Sequence, residues 1–254
     1  SKSKGINLFL FKKILYFIYN FSIRKRDSRW TMKKTSIRSF FIFQNPIDLE
    51  IFKKYIPNNA SYKHQIIPGS GVPSKYLLKK NSNKNKWLEK VIDQELNYKK
   101  ITFIYCGRLL KSKGIYIFLD LLKEYSSSKG LVFGDIDPSS KDSLSSKDLD
   151  FLSKTFKNVI FHGNIQDPLL NIKESFPILI VPSDYGEGLS RSILEALSLR
   201  IPVISSKSSL CGIFNSDYLH YAELNNYKNY MDVVGTLIKT YKNNKLRVTL
   251  KNGF

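Results

Sequence analysis

From Lys100 onwards, short apolar runs alternate with segments of helical spacing, and this alternation constrains the fold more than any other feature. The apolar runs cover 101–106, 131–134, 158–163, 177–183 and 201–206, and helical spacing covers 115–125, 142–155, 166–173, 189–199 and 226–241. Apolar strands that alternate with helices predict a parallel sheet covered on both faces, hence a doubly wound α/β domain. Ligands of such sheets bind at the carboxyl ends of the strands. The loops that follow the strands, 107–114, 134–138, 163–167 and 183–191, are therefore where we expect a site.

The first hundred residues lack this regularity. The run 37–45 is strand-like, a short helix is expected over 46–55, and the segment 66–76 is rich in turn residues. The stretch 79–87, rich in Lys and Asn, is expected to be a loop.

Basic charge is concentrated at the start of the chain. Residues 1–40 hold 11 Lys and Arg against one acid, Asp27, within a total net charge of +20. The neighbouring apolar run 6–23 is interrupted by Lys12 and Lys13, so it does not predict a transmembrane helix. The combination favours peripheral contact of residues 6–38 with an anionic membrane. A solvated charge run that reflects only biased composition is the alternative, and nucleic acid is not expected because no recognition motif accompanies the charge.

Cysteines and histidines give no sign of a metal or redox site. Cys106 and Cys211 lack CxxC spacing, and the three histidines are dispersed, so we expect no metal and small buried thiols in a reducing compartment. No Ser–His–Asp or Cys–His arrangement for nucleophilic catalysis is visible.

The loop "GRLLKSKG" follows the first regular strand. Gly107 and Gly114 bracket a sharp turn that carries Arg108 and Lys113. Arg with its fork of donors and Lys with its point charge are suited to hold a diphosphate at the end of a strand. Solvated loop cations are the alternative interpretation.

The segment "DYGEGLSRSILEAL" places two glutamates around a predicted helix start near Leu189. An anion can lie at the unpaired amides of a helix N-terminus, and Gly186 and Gly188 permit close approach. Glu187 beside that anion suits the hydroxyls of a sugar, unless it serves only the helix dipole. Glu195, in the second turn, suits a ribose diol, unless it is a solvent-facing residue of an amphipathic helix.

Six ordered segments resemble the retaining glycosyltransferases of family 4, which have the GT-B fold of two Rossmann-like domains. From about Phe40 to the end these are "IFQNPIDLEIF", "IIPGSGVPSKYL", "IYCGRLLKSKGIYIFLDLL", "LVFGDIDP", "NVIFHGNIQD" and "VPSDYGEGLSRSILEALSLRIPVISS". The last contains Glu-x7-Glu followed by a Pro-led strand, the most specific of the six.

This resemblance assigns roles by position. Arg108 and Lys113 are expected to hold the donor diphosphate, Glu187 to contact the donor sugar, and Glu195 to contact the ribose. The remaining expected donor contacts are Gly107 and Gly188, the amides of Leu189, Ser190 and Arg191 towards the phosphates, and Gly163, Asn164 and Ile165 towards the base. Retention of anomeric configuration without a metal or other cofactor is implied.

The resemblance implies a hexosyltransferase that uses a nucleotide sugar, UDP-linked in most members, to extend a glycan or lipid-linked saccharide in cell-surface polysaccharide synthesis. Such members work in the cytoplasm, peripherally on the inner face of the cell membrane. Residues 1–65 would be a remnant of the acceptor-side domain and 66–254 the nucleotide-sugar domain, of a fragment that starts at Ser1 and has lost most of its first domain. Epimerase or hydrolase activity, an inactive fragment, and a membrane- or nucleic-acid-binding module remain alternatives.

Two departures from the family pattern stand out. Arg200 follows the "LEAL" helix where the family usually has Gly, so a positive φ there would cost roughly 1 kcal/mol. The segment "SSKSSLCGIF" differs from the usual Gly-rich acceptor-side loop, which leaves the acceptor open.

Overall fold

The computed structural model describes residues 40–55, 62–67, 71–77, 101–172, 176–184, 190–206 and 216–242. The chain divides into two compact units, residues 1–70 and 71–254. The predicted membrane-contact segment 6–38 and the loop 79–87 lie outside the described residues.

The first unit contains strands β1 (Phe40–Phe43) and β2 (Lys63–Ile66), which pair in parallel, and helix α1 (Pro46–Lys53) between them. Asn45 caps α1, because its side-chain oxygen accepts a hydrogen bond of 2.7 Å from the amide of Asp48. The ring of Phe52 in α1 packs on Phe41 of β1, with ring centroids 4.6 Å apart. The helix expected over 46–55 is confirmed.

The second unit is built on a parallel sheet. Its strands are β3 (Thr102–Cys106), β4 (Lys129–Phe133), β5 (Val159–Phe161), β6 (Pro177–Val181), β7 (Val203–Ser206) and β8 (Leu219–Ala222). Its helices are α2 (Ile115–Glu124), α3 (Ser146–Thr155), α4 (Arg191–Ser198) and α5 (Tyr227–Lys242), with 3₁₀ turns at Ser74–Tyr76, Lys111–Lys113 and Pro168–Asn171.

The strand order in the described part of this sheet is β5-β4-β3-β6-β7-β8, with every pair parallel. The chain enters at β3 in the middle, adds β4 and β5 on one side, and returns to place β6, β7 and β8 on the other. This is the doubly wound order, so the predicted fold class is confirmed. The winding reverses between β3 and β6, and a crevice for ligands opens at their carboxyl ends.

The core lies on both faces of the central strands. All of β6 and most of β3 are buried, since helices cover both faces of a parallel sheet. From α2, Ile115, Phe118 and Leu122 are fully buried against the sheet. Each such side chain contributes about 1.5–3 kcal/mol of transfer free energy, and the sheet is therefore a rigid base for the loops at its edge.

Several elements differ from the sequence prediction. The helix expected over 166–173 is only the 3₁₀ turn Pro168–Asn171, because Asp167 before it adopts a left-handed φ of 51°. Helix α3 starts at Ser146 rather than 142, where Ser145 and Asp148 form a reciprocal capping box. Strands β2 and β8 were not predicted, since four residues of mixed polarity give little periodicity.

Arg200 ends helix α4 in a left-handed conformation, with φ at 58°. The amide of Ile201 donates to the carbonyl of Ala196 at 2.9 Å, and that of Arg200 to Leu197 at 2.9 Å, which is the pattern of a Schellman cap. Arg200 therefore occupies the positive-φ conformation, which is expected to cost roughly 1 kcal/mol.

In the part of the chain that the structure describes, no helix combines the length and apolar character needed to cross a bilayer.

Candidate active site

A cavity of about 660 Å³ opens at the carboxyl edge of the sheet, within the second unit. Its walls come from the loops after β3, β4 and β5, from the first turns of α4, and from the 3₁₀ turn Ser74–Tyr76. Its position next to the point where the winding reverses is where doubly wound sheets bind ligands. Its volume lies in the range of small-molecule sites, about 300–1,000 Å³.

The loop after β3 places Arg108 in the cavity wall. The amide of Gly107 donates to the carbonyl of Phe133 at 2.9 Å, and the hydroxyl of Tyr105 donates to the carbonyl of Arg108 at 3.0 Å. The guanidinium of Arg108 donates to the carboxylate of Asp137 at 2.8 Å, from the loop after β4. The hydroxyl of Ser139 and this guanidinium lower the pKa of Asp137. Arg108 is therefore oriented before any ligand arrives.

Gly134 allows the loops after β3 and β4 to approach each other closely. At its φ of 144°, a β-carbon would collide with the carbonyl oxygen of Gly107, so only glycine fits. Its amide donates to the carbonyl of Gly163 at 2.8 Å, and the three loops after β3, β4 and β5 are thereby joined through backbone atoms.

Glu195 lies in the cavity wall and is only 8% exposed. The Nε of Arg191, one helical turn earlier in α4, donates to its Oε1 at 2.7 Å. The alternative interpretation of Glu195 as a solvent-facing residue is wrong, because its side chain is shielded from solvent within the cavity wall. Helix α4 starts at Arg191, slightly later than the predicted 189, and the Oγ atoms of Ser190 and Ser192 lie 3.0 Å apart.

Asp167 joins the loop after β5 to the 3₁₀ turn at the start of the second unit. Its carboxylate forms an ion pair with Lys75 and accepts a hydrogen bond of 3.0 Å from the hydroxyl of Tyr76. Lys75, and after it Tyr76, lower the pKa of Asp167. None of these three residues was predicted from the sequence to be a site residue. The hydroxyl in "PSKY" and the carboxylate in "NIQD", in the loop after β5, were the available signals.

Asn164 and Ile165 form the wall on the β5 side. Next to them the ring of His162 stacks on Phe133, with centroids 4.8 Å apart and an interplanar angle of 10°. Phe133 itself lines the cavity, so His162 supports the wall from behind.

The structure brings together one half of the predicted site residues. Gly107, Arg108, Asn164, Ile165, Arg191 and Glu195 all line the cavity. Lys113, Ser190 and Gly163 are described but do not line it. Glu187, Gly188 and Leu189 lie outside the described residues, so their placement stays a prediction.

Across the described ranges, no group of three or more His, Cys, Asp or Glu side chains is arranged to hold a metal ion. Cys106 lines the cavity as a free thiol, and burial, with a smaller effect of Glu195, raises its pKa.

Comparison with protein families gives a match to glycosyl transferases group 1 over residues 87–253. The match covers β3 to α5, and thus every loop at the carboxyl edge of the sheet. No curated protein matches the sequence.

Solved structures share the fold at low sequence identity. Sucrose-phosphate synthase from Thermosynechococcus elongatus superposes with a TM-score of 0.60 at 17% identity, over 80% of this chain and 50% of that one. HepE of Anabaena, solved in complex with UDP, superposes with a TM-score of 0.63 at 16% identity, over 90% of this chain and 58% of that one. The C-terminal domain of the group 1 protein LpcC from Francisella tularensis has a TM-score of 0.50 at 23% identity, over 68% of this chain and 90% of that one. The chain therefore spans 50–58% of the length of the first two, and its sheet is the Rossmann-like domain of a GT-B fold.

Proposed function

Because the chain belongs to the glycosyl transferases group 1, we propose that its cavity binds a nucleotide-sugar donor and that the protein transfers a hexose from it. The donor is UDP-linked, the anomeric configuration is retained as in family 4, and the acceptor is a glycan or lipid-linked saccharide. The observation that carries the proposal is the cavity wall, where Arg108, Arg191 and Lys75 stand at the point where the winding of the sheet reverses.

The diphosphate occupies the side of the cavity near Arg108. A guanidinium presents five N–H donors in a planar fork suited to phosphate oxygens, and Asp137 accepts one of those of Arg108 and orients the group. The family pattern adds Lys113 and the amides of Leu189, Ser190 and Arg191 as further phosphate contacts, and of these four residues Arg191 lines the cavity. These cations and amides stabilise the charge that develops on the departing nucleoside diphosphate. No metal ion is needed for that role.

The nucleoside occupies the opposite side. The carboxylate of Glu195 accepts hydrogen bonds from the ribose hydroxyls. Its shielding from solvent supports this role, because a shielded carboxylate needs hydrogen-bond donors in place of water. Asn164 and Ile165 in the cavity wall face the base, and the family pattern adds the preceding Gly163 on this side and Gly107 near the phosphates. Glu187 and Gly188 lie beside the donor sugar, in a segment outside the described residues.

The uridine assignment is supported by neighbours in fold. HepE of Anabaena was solved with UDP and with UDP-glucose, and a pneumococcal O-GlcNAc transferase was solved with UDP and GlcNAc. At such low sequence identity, these structures serve to choose which donors are tested first.

The proposal for the acceptor is based on the sequence of the first 40 residues. Residues 6–38 contact the anionic inner face of the cell membrane peripherally, where lipid-linked acceptors of polysaccharide synthesis are located. A cytoplasmic protein bound in this way reaches such acceptors without crossing the membrane.

Ligand-induced stabilisation tests donor binding. The melting temperature of the 254-residue chain is measured with UDP, GDP, ADP and their hexose derivatives. A ligand at a hundredfold excess over its Kd stabilises the folded state by about 2.7 kcal/mol, so a uridine nucleotide is expected to raise the melting temperature. No shift with any nucleotide would contradict the proposal.

Product analysis then separates transfer from other activities of the same cavity. UDP-hexoses are incubated with the chain and lipid-linked acceptors, and the products are followed by NMR at the anomeric carbon. Transfer gives an extended acceptor with unchanged anomeric configuration. An epimerised donor or free hexose without extended acceptor would favour epimerisation or hydrolysis instead.

A further inference from the structure

Two carboxylates of the loop after β4 hold the loop after β3. In the cavity wall, Asp137 accepts a hydrogen bond of 2.8 Å from the guanidinium of Arg108. Outside the cavity, Asp142 accepts a hydrogen bond of 3.0 Å from the amide of Ser112 and a second one from the hydroxyl of that residue. Neither Asp142 nor Ser112 lines the cavity, so an effect of this second contact on a ligand must be transmitted through the loop.

The second contact fixes the backbone of residues 107–114, which we call the cationic loop. The amides of residues 111–114 all donate to acceptors within the protein, at 2.9–3.1 Å. Asp142 supplies two of these acceptors, its backbone carbonyl and its carboxylate. Amides that are already bonded cannot bind a phosphate as the unpaired amides of a helix N-terminus do. These residues are therefore expected to act on a phosphate through the side chains of Arg108 and Lys113.

Ser112 also connects the cationic loop to the end of β6. Its carbonyl accepts a hydrogen bond of 2.8 Å from the amide of Asp184. Two residues later, a β-carbon on Gly114 would lie 2.3 Å from the carbonyl oxygen of Pro182, so the backbones of the two loops are in direct contact. The loops after β3, β4 and β6 thus meet at Ser112, and the carboxylate of Asp142 holds that residue.

Other contacts keep the loops after β3 and β4 together without this carboxylate. Leu110 and Ser143 form an antiparallel bridge. The amide of Leu144 donates to the carbonyl of Leu109 at 2.9 Å, and both side chains are buried. Removal of the Asp142 side chain is therefore expected to loosen the turn Lys111–Lys113 without detaching the loop from the domain.

We propose that Asp142 is a positioning residue for the donor diphosphate, which acts through Ser112 to hold the cationic loop in one conformation before the ligand binds. The inference rests on the proposed function, because it takes the diphosphate as the partner of Arg108 and Lys113. A loose loop loses conformational entropy when a ligand orders it, and this loss weakens binding. A loop that is already ordered avoids that loss.

The substitution Asp142→Ala tests the inference, because it removes the carboxylate from a residue outside the cavity. Isothermal titration of the full chain compares UDP with uridine, which has no phosphate. We expect Asp142→Ala to weaken UDP binding by about five- to tenfold and to leave uridine binding unchanged. Asp142→Asn keeps an oxygen that can accept from the Ser112 amide, so its loss should be smaller, about twofold.

The sign of the effect separates positioning from simple electrostatics. Asp142 is negatively charged, so its removal would by itself favour a phosphate and strengthen UDP binding. Weaker UDP binding in Asp142→Ala is therefore the result that a positioning role predicts, and stronger binding would overturn it.

Hydrogen exchange of the ligand-free chain gives a readout that does not depend on nucleotide binding. In Asp142→Ala, the amides of Ser112 and Asp184 should exchange faster than in the unmodified chain, because the first loses its acceptor and the second donates to the residue thereby released. Unchanged exchange at both amides would show that the carboxylate does not hold the loop.

Asp148→Ala is the matched control. The carboxylate of Asp148 accepts hydrogen bonds of 2.8 and 2.7 Å from the amide and the hydroxyl of Ser145, the same pair of bonds, but at the start of α3 and outside the cavity wall. Its substitution should lower the melting temperature and leave the ratio of UDP to uridine affinity unchanged. Hydrogen exchange at Ser112 should also be unaffected.

The outcomes separate the inference from the proposed function. Equal weakening of UDP and uridine in Asp142→Ala, no weakening of either, or the same change of ratio in Asp148→Ala would overturn the positioning role while the donor site stands. If Asp142→Ala does not fold, Asp142→Asn and Ser112→Ala decide by the same ratio, which must fall in at least one of them. If UDP binds the unmodified chain no better than uridine, the proposed diphosphate site is wrong and the inference with it.

Discussion

Two kinds of ion pair occur in the described part of the chain. In one kind the carboxylate is shielded from solvent, and in the other both members are exposed. In the cavity, Lys75–Asp167, Arg108–Asp137 and Arg191–Glu195 have carboxylates with side-chain exposure of 10–19% and cations with exposure of 43–59%. On the helix surfaces, Lys53–Glu50, Lys123–Asp120 and Lys154–Asp150 have both members between 41% and 71% exposed.

The contrast indicates what each set can do. A pair exposed on both sides is screened by water and contributes about 0–1 kcal/mol to stability. In the cavity, the shielded carboxylate fixes the direction of a cation whose outer face remains accessible. Such an arrangement presents oriented positive charge to an anionic ligand and keeps acceptor oxygens behind it for neutral hydroxyls.

The largest expected effect comes from Glu195→Gln, which keeps the size of the side chain and removes its charge. The substitution weakens the observed pair with Arg191 and, under the proposed function, a charge-assisted hydrogen bond to the ribose. We expect the Kd for UDP to rise about 10- to 100-fold, measured by isothermal titration. Asp150→Asn, the same kind of change in a surface pair, should alter Kd by less than about twofold. Equal effects of the two substitutions would remove the distinction between the pairs.

Arg108→Lys should have the next largest effect. Lysine keeps the charge but loses the fork that lets one side chain hold Asp137 and a phosphate together. We expect about a tenfold loss of affinity for UDP with a smaller loss for uridine, which has no phosphate, in the same titration.

Arg200→Lys is its control, since Arg200 lies at the far end of α4 and does not line the cavity. It should bind UDP like the unmodified chain. If Arg108→Lys does so too, the guanidinium fork has no part in phosphate binding.

Acid should affect the cavity pairs through their carboxylates. Lys75 and Tyr76 lower the pKa of Asp167 in the folded state. Its contribution to stability is therefore present above the unfolded pKa of about 3.9 and is lost as the pH falls through the lower, folded value. Urea unfolding should show Asp167→Asn as less stable than the unmodified chain at pH 7, with the difference vanishing in strong acid. A difference that persists in strong acid would mean that the carboxylate charge is not its source.

The smallest effect is expected at Arg200, where a substitution should change stability without changing the cavity. Its φ of 58° suits glycine, so Arg200→Gly should raise the free energy of unfolding by about 1 kcal/mol. Arg200→Ala keeps a β-carbon and should give no such gain in the same urea unfolding experiment. UDP affinity should be unchanged in both, and equal stabilities would show that the backbone at this position carries no strain.

The sequence predicts the sheet better than the site, and particular residues show why. Strands such as β6 are continuous apolar runs, because both faces of a parallel sheet are covered, and the left-handed position of Arg200 follows from a helix that must end there. The contact of Asp167 with Lys75 and Tyr76 depends instead on a left-handed backbone at Asp167 and on segments far apart in the chain. Neither leaves a periodic signal, so that side of the cavity becomes visible only in the structure.

The central claim is that the cavity binds a nucleotide sugar through cations oriented by shielded carboxylates. Isothermal titration of UDP-glucose into the full chain and into the Arg108→Lys, Glu195→Gln double variant tests it most directly. We expect saturable binding at one site per chain, and its loss in a double variant whose melting temperature without ligand remains close to that of the unmodified chain. Binding of equal strength in both proteins, or in neither, would contradict the account.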